Sequence, residues 1–165
     1  MMDATEILAA IPLFADVLDS DQIERLAAKC HEAVFSPGAL LMTEGDFGTS
    51  MFAIVEGSVS VTLADRRGDA HGVAALYAGD VVGEMSLLTG ARRNATVTAT
   101  SEVVALEITK VALEEILARA PDLIDNFGEV LARRQAQLDR VAVDVARAGK
   151  DDLVGQIRRF FGGKS

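Results

Sequence analysis

Between residues 34 and 108 the apolar positions fall in short runs rich in Val, Ile, Leu, Phe and Thr, each run closed by glycine. The breaks are Pro37-Gly38, Glu44-Gly45-Asp46, Glu56-Gly57-Ser58, Arg67-Gly68-Asp69 and Ala78-Gly79-Asp80. Between and after them lie Met51–Val55, Ser58–Leu63, Val73–Tyr77 and Ala95–Glu107. Ser58 to Leu63 alternates polar and apolar, the period of a strand with one face buried. Several short strands at this spacing predict a β-sandwich, roll or barrel.

The flanks have a different period. Residues 5–31 read as helical, and Pro12 divides an upstream turn from the helix that follows. Asp19 with Gln22 three residues later predicts a capping box, with Ser20 an alternative cap. Ile23, Leu26 and Ala27 then share one face. After the glycine-punctuated region, Thr109 suits an N-cap, and Leu113, Ile116 and Leu117 share a face. Pro121 stops that helix. A longer helix is predicted from Asp122 to Ala148, ended by Gly149. On it Leu131, Leu138 and Val145 form one row and Phe127, Arg134 and Val141 a second, both at heptad spacing. The tail carries Leu153, Val154, Ile157, Phe160 and Phe161 at helical spacing, which predicts a packed or dimer-contacting helix in preference to a membrane binder. The fold class is therefore mainly β with flanking helices. Residues 1–33 are helical, 34–108 form the roll, 109–148 supply two C-terminal helices, and 149–165 are an amphipathic tail.

Composition narrows the function. Half of the 165 residues are apolar, enough for one domain with a real core. The net charge of −9 argues against general nucleic-acid binding, which requires neutralising phosphates with Lys and Arg. The charge is uneven: residues 127–165 hold eight basic and five acidic side chains, so the tail is a different electrostatic object from the body. Cys30 is the single cysteine and permits no internal disulfide. No apolar run approaches the roughly 20 residues of a membrane helix. The start, Met1-Met2-Asp3, lacks the basic and apolar regions of a signal peptide. A cytoplasmic chain is expected, either free or as the cytoplasmic end of a membrane protein.

The most informative stretch runs from Gly79 to Ala99. It holds a Gly83-Glu84 pair, an apolar segment Met85–Leu88, a loop Thr89–Arg92, and Arg93-Asn94-Ala95-Thr96 ahead of the strand Val97-Thr98-Ala99. Free N–H groups at the start of a short helix suit an anion. Gly83 lets the backbone come close to a ligand. Arg93 offers a charge-assisted hydrogen bond to a phosphate, and Glu84 can accept a hydroxyl proton. Taken singly these residues are ordinary: glycine–acid pairs make turns, and an Arg-Arg pair is usually solvated surface.

Together, residues 83–96 resemble the phosphate-binding cassette of cyclic-nucleotide-binding domains. The match extends over about residues 5–148, with helices before the roll and two helices after it. The resemblance implies that Glu84 binds the ribose hydroxyl and Arg93 the cyclic phosphate. Gly83, Met85, Ser86 and Ala95 would supply mainly backbone contacts. The position after the arginine often carries a hydroxyl in guanine-binding members; here it is Asn94, which leaves the choice open but leans to cAMP over cGMP. The resemblance further implies a lid: the Asp122–Ala148 helix closes over the base. Arg134 is the candidate stacking residue, because a guanidinium is flat and weakly hydrated. Its bland alternative is snorkelling from a helix seam. Leu131, Leu138 and Arg133 compete with it.

No catalytic or metal-ligating constellation accompanies the cassette. Cys30 and His31 are neighbours with no third orienting group and read as half-buried helix positions; His71 reads as an exposed hairpin-loop residue. The expectation is a non-catalytic sensor that needs no cofactor besides its ligand, cAMP or cGMP. It would regulate a partner or attached effector such as an ion channel. The last helix permits a homo-oligomer. The rivals are the sensor half of a cAMP-receptor-type transcription regulator and a degenerate domain acting only in protein–protein interaction. Residues 149–165 are too few for a helix-turn-helix domain, so no direct nucleic-acid contact is expected of this chain.

Overall fold

The computed structural model describes residues 3–138 and 150–162, without the side chains of residues 134–138, 150–153, 156 and 162. Three short helices open the chain: α1 (Ala4–Ala9), α2 (Pro12–Ala15) and α3 (Ser20–Ala27). Pro12 starts α2, where its missing N–H leaves no intrahelical bond unmade. Asp19 caps α3 through the full capping box: its carboxylate accepts from the Gln22 N–H at 2.8 Å, and the Gln22 side chain accepts from the Asp19 N–H at 2.9 Å. Ser20 is the first helical residue and not the cap.

Eight strands follow: β1 (His31–Phe35), β2 (Leu40–Met42), β3 (Ser50–Glu56), β4 (Ser58–Ala64), β5 (Ala70–Tyr77), β6 (Val81–Val82), β7 (Thr96–Ala99) and β8 (Val103–Thr109). The helix α4 (Glu84–Thr89) sits between β6 and β7. The strands form two four-stranded antiparallel sheets, ordered β1-β8-β3-β6 and β2-β7-β4-β5. The helices α5 (Lys110–Arg119), α6 (Leu123–Leu138) and α7 (Lys150–Gly162) complete the described chain. Thr109 caps α5, its hydroxyl accepting from the Ala112 N–H at 3.2 Å.

Two apolar clusters result. Along β3, Phe52 and Ile54 point into the roll, while Met51 and Ala53 point out toward the helices. On β8, Val103 and Ala105 face inward, while Leu106 and Ile108 face the helices. β3 is thus covered on both faces, which is why Met51–Val55 reads as an unbroken apolar run. The roll interior is filled by Leu41, Val59, Val82, Val97 and Ala99 among others. The helix-side cluster gathers α1–α3, α4, α5, α6 and α7 against the outer face of the β3–β8 pair.

Several boundaries differ from the sequence reading. The roll begins at His31, inside the stretch read as helical, because His31 and Glu32 pair with Glu107 and Leu106 of β8. Cys30 therefore lies in the link between α3 and β1, and His31 on a strand. The run Ala95–Glu107 is two strands, bent at Thr100–Glu102, where Ser101 Oγ accepts from the Ser58 N–H at 3.0 Å. The third strand of the reading starts earlier, at Ala70, so His71 lies on β5 opposite Leu63 and not in the hairpin loop. Its Nε2 lies 2.7 Å from the Asp65 carboxylate. α6 is described as far as Leu138; residues 139–149, with Val141, Val145 and the predicted end at Gly149, lie outside the described residues.

Candidate functional site

The cassette is a short helix held between two left-handed glycines. Gly83, with φ 92°, is the N-cap of α4, and Gly90, with φ 73°, is its C-cap. Side chains disfavour these backbone angles. α4 begins at Glu84, one residue before the predicted segment, and ends at Thr89. Leu87 and Leu88 anchor it in the helix-side core at zero exposure. Beyond Gly90 the loop is closed by its own polar groups. Ser86 Oγ donates to the Ala91 carbonyl at 2.9 Å, and Thr89 Oγ donates to the Met85 carbonyl at 2.7 Å. The predicted residues distribute clearly. Glu84, Ser86, Arg93 and Ala95 are buried; Gly83 and Met85 are half-buried; Asn94 is exposed. Arg134 lies on α6, but its side chain is outside the described residues, as is that of Leu138. Of their rivals, Leu131 is buried in the helix-side core and Arg133 is exposed.

Arg93 is the centre of this arrangement. It is 7% exposed. Its Nη1 donates to the Ser50 carbonyl at 2.7 Å and its Nη2 to Ser50 Oγ at 3.3 Å. The guanidinium lies between two glycines. A Cβ on Gly83 would stand 2.7 Å from Nη1, and one on Gly48 would stand 2.6 Å from Nη2 and fall on Nε and Cζ. The β2–β3 loop is also tied to the arginine backbone: the Gly45 N–H donates to the Arg93 carbonyl and the Arg93 N–H to the Asp46 carbonyl, both at 2.8 Å. Burial holds the Arg93 guanidinium below its ordinary pKa, and the Glu107 carboxylate works in the other direction. A desolvated cation of this kind gains strongly from an anion placed beside it. Glu84, with 8% exposure, is a buried acid one residue from Gly83.

Three contributors escaped the sequence reading. Gly48, from the β2–β3 loop, and Ser50, the first residue of β3, shape the arginine site, and no local motif marks them. Glu107 had a readable signal. Its odd-numbered neighbours on β8, Val103 and Ala105, face the roll interior, so the strand period turns a carboxylate inward. Arg92, next to Arg93, has a different environment. It is exposed, its guanidinium stands 4.2 Å over the Phe47 ring, and Nη1 donates to the Gly45 carbonyl at 3.1 Å. Cys30 is half-buried and donates its S–H to the Leu26 carbonyl at 3.2 Å; burial pushes its thiol up to about 12. A thiol so disfavoured as thiolate is no nucleophile.

An antiparallel roll with helices packed on one outer face, interrupted by a short helix between left-handed glycines and a buried arginine, is the architecture of a small-ligand sensor domain. Residues 32–120 match the family model of the cyclic nucleotide-binding domain, and the chain belongs to that family. It is 32% identical over 130 residues to a cyclic nucleotide-gated potassium channel of Rhizobium etli, covering 79% of this chain and 35% of the channel. It is 31% identical to a cAMP-dependent protein kinase regulatory subunit of Yarrowia lipolytica, covering 70% of this chain and 30% of that subunit. The chain thus spans about a third of the length of these curated relatives. Among solved structures it is similar to the N-terminal domain of a transcriptional regulator from Streptomyces coelicolor A3(2), with a TM-score of 0.67 and 29% identity over 84% of this chain and 99% of that one. No helix among the described residues is long and apolar enough to cross a membrane.

Proposed function

We propose that this domain is a non-catalytic sensor of a cyclic purine nucleotide, cAMP in preference to cGMP. The observation that carries the reading is the buried Arg93 guanidinium lying against Gly83, with the buried Glu84 next in sequence. In this reading Arg93 takes the cyclic phosphate and Glu84 accepts the ribose 2′-hydroxyl proton. Gly83, Met85, Ser86 and Ala95 offer mainly backbone groups. Asn94 is exposed and lacks the hydroxyl associated with guanine binding, which supports cAMP. α6 is the lid, with Arg134 as the candidate to stack on the base. Ligand binding shifts the population toward the closed lid, which requires the open and closed states to differ in ligand affinity. The chain needs no cofactor besides the nucleotide and makes no direct contact with nucleic acid.

The effector is an attached or associated protein at the cytoplasmic face of a membrane or in the cytoplasm. The similarity to a gated potassium channel supports a channel-regulating role. A second reading, the sensor half of a transcription regulator, is favoured by the Streptomyces neighbour, which this chain matches across 99% of its length. Self-association through the last helices is compatible with either.

Calorimetric titration of the full chain with cAMP and with cGMP tests the sensor reading, with Arg93→Ala as the control. A hydrogen bond to a charged group is worth about 1.5–3 kcal/mol, so the substitution is expected to weaken binding about tenfold to a few hundredfold. Failure of the unaltered chain to bind either nucleotide would leave a degenerate domain that acts through protein contacts.

A further inference from the structure

We propose that α7 is an intramolecular latch on the cassette: it grips the end of α4 opposite the nucleotide site and holds the sensor in its low-affinity arrangement. The inference rests on the nucleotide reading above and adds a regulatory segment that lies beyond the lid helix.

The seat of α7 is specific. Ile157 is fully buried and Val154 nearly so, both within the helix-side core. Val154 packs on Gly128 of α6 so closely that any Cβ there would overlap its Cγ2. The Phe160 ring covers Gly90, where an added Cβ would stand 2.6 Å from its Cδ1 and Cε1. Lys110, the first residue of α5, stands 4.3 Å over the same ring, and Phe161 meets Phe160 edge to face with centroids 5.2 Å apart. Arg158 and Asp125 of α6 lie 3.6 Å apart at the exposed rim, a pair worth little in water. α7 therefore bridges α4, α5 and α6, and two of its three anchors lie on glycines that leave no room for a side chain.

α4 has six residues, so its two ends are about 9 Å apart. Glu84 stands at one end beside Gly83, which lies against Arg93; Gly90 stands at the other, under Phe160. A glycine hinge at each end lets the helix move as one piece. Any movement that nucleotide binding imposes at Gly83 then reaches Gly90, and Phe160 opposes it. Linkage makes the effect reciprocal: a latch that opposes nucleotide must be loosened by nucleotide. Release would present the face carrying Val154, Ile157, Phe160 and Phe161 to whatever effector the sensor addresses.

The test is the full chain carrying Phe160→Ala, titrated with cAMP and cGMP beside the unaltered chain, with amide hydrogen exchange of residues 150–162 read with and without nucleotide. Phe160 is only half-buried, so the variant should stay folded. The expected result is binding about five- to fiftyfold tighter in Phe160→Ala, and faster exchange across α7 when the unaltered chain is saturated. If the unaltered chain binds nucleotide and the variant has the same affinity with unchanged α7 exchange, the latch is wrong and the sensor stands. Weaker binding by the variant also overturns the latch, since α7 would then belong to the high-affinity arrangement. Binding by the variant alone supports the latch in its strongest form. If neither chain binds, the sensor reading falls and the latch falls with it.

Discussion

The roll interior and the helix-side core divide the work of this molecule. Among the described residues, the largest fully buried side chains, including Phe14, Phe127, Leu26, Leu88 and Leu113, all belong to the helix-side core. Phe14 and Phe127 meet edge to face with centroids 6.2 Å apart, joining the opening helices to α6. The roll interior holds Phe52, Ile54, Leu41 and Met42 together with smaller groups, such as Val59, Val97, Ala99, Val103 and Ala105. Its strand period also turns Glu107 inward, and the Glu107 carboxylate supports the charge of Arg93. Apolar bulk therefore concentrates on the side away from the ligand chemistry. α4 belongs to both regions, with Leu87 and Leu88 in the helix-side core and Gly83 against Arg93. A helix shared in this way can report from one region to the other.

The contrast is sharpest in stability. Phe127→Ala is expected to cost about 3–5 kcal/mol in chemical denaturation, the usual loss for a buried aromatic. Val97→Ala, on the roll side, is expected to cost about 2 kcal/mol. A Val97 variant as damaging as the Phe127 one would show that the roll interior carries as much of the fold as the helices do. The opposite contrast is expected in binding. Gly48 has an ordinary backbone angle, so Gly48→Ala acts only through the Arg93 guanidinium that its Cβ would displace. Nucleotide affinity is expected to fall about tenfold while stability changes by less than about 1 kcal/mol, because a side-chain end can swing aside more readily than backbone. Unchanged affinity in that variant would show that the seat between Gly48 and Gly83 does not set how Arg93 meets its ligand.

What could be read in advance follows the same division. The cassette was legible because its chemistry is local: Gly83, Glu84 and Arg93 lie within eleven consecutive positions, and their spacing carries the family resemblance. The capping box at Asp19 and Gln22 and the Thr109 cap were legible for the same reason, since each cap spans only four consecutive residues. Contributions from distant chain were not. Ser50 reaches Arg93 from forty-three positions away, and a serine at the start of a strand carries no mark of that partner. β1 was half lost to the preceding helix because pairing with β8, more than seventy positions on, decides where it starts. β2 and β6, with three and two residues, are too short to show a period. The tail's apolar spacing predicted a packed helix, but not that Gly90 and Gly128 form its seat.

Arg93 and Cys30 are both desolvated titratable groups, and the smallest expected effect separates them. Arg93 keeps its charge through Ser50 and the Glu107 carboxylate. Cys30, packed against the helix-side core, has the Leu26 carbonyl as acceptor for its S–H, and burial lifts its pKa from 9.0 to about 12. Between those values the unfolded chain loses this proton while the folded chain keeps it. The folded state then binds more protons, so stability must fall as pH rises. Below pH 9 the group makes no pH-dependent contribution. Denaturation of the unaltered chain and of Cys30→Ala, compared from pH 7 to 10.5, isolates the thiol, because every other side chain is common to the two. The unaltered chain is expected to lose stability relative to the variant above pH 9. A constant difference across the range would mean that the thiolate is tolerated at this position, and that burial in the helix-side core is less strict than its packing indicates.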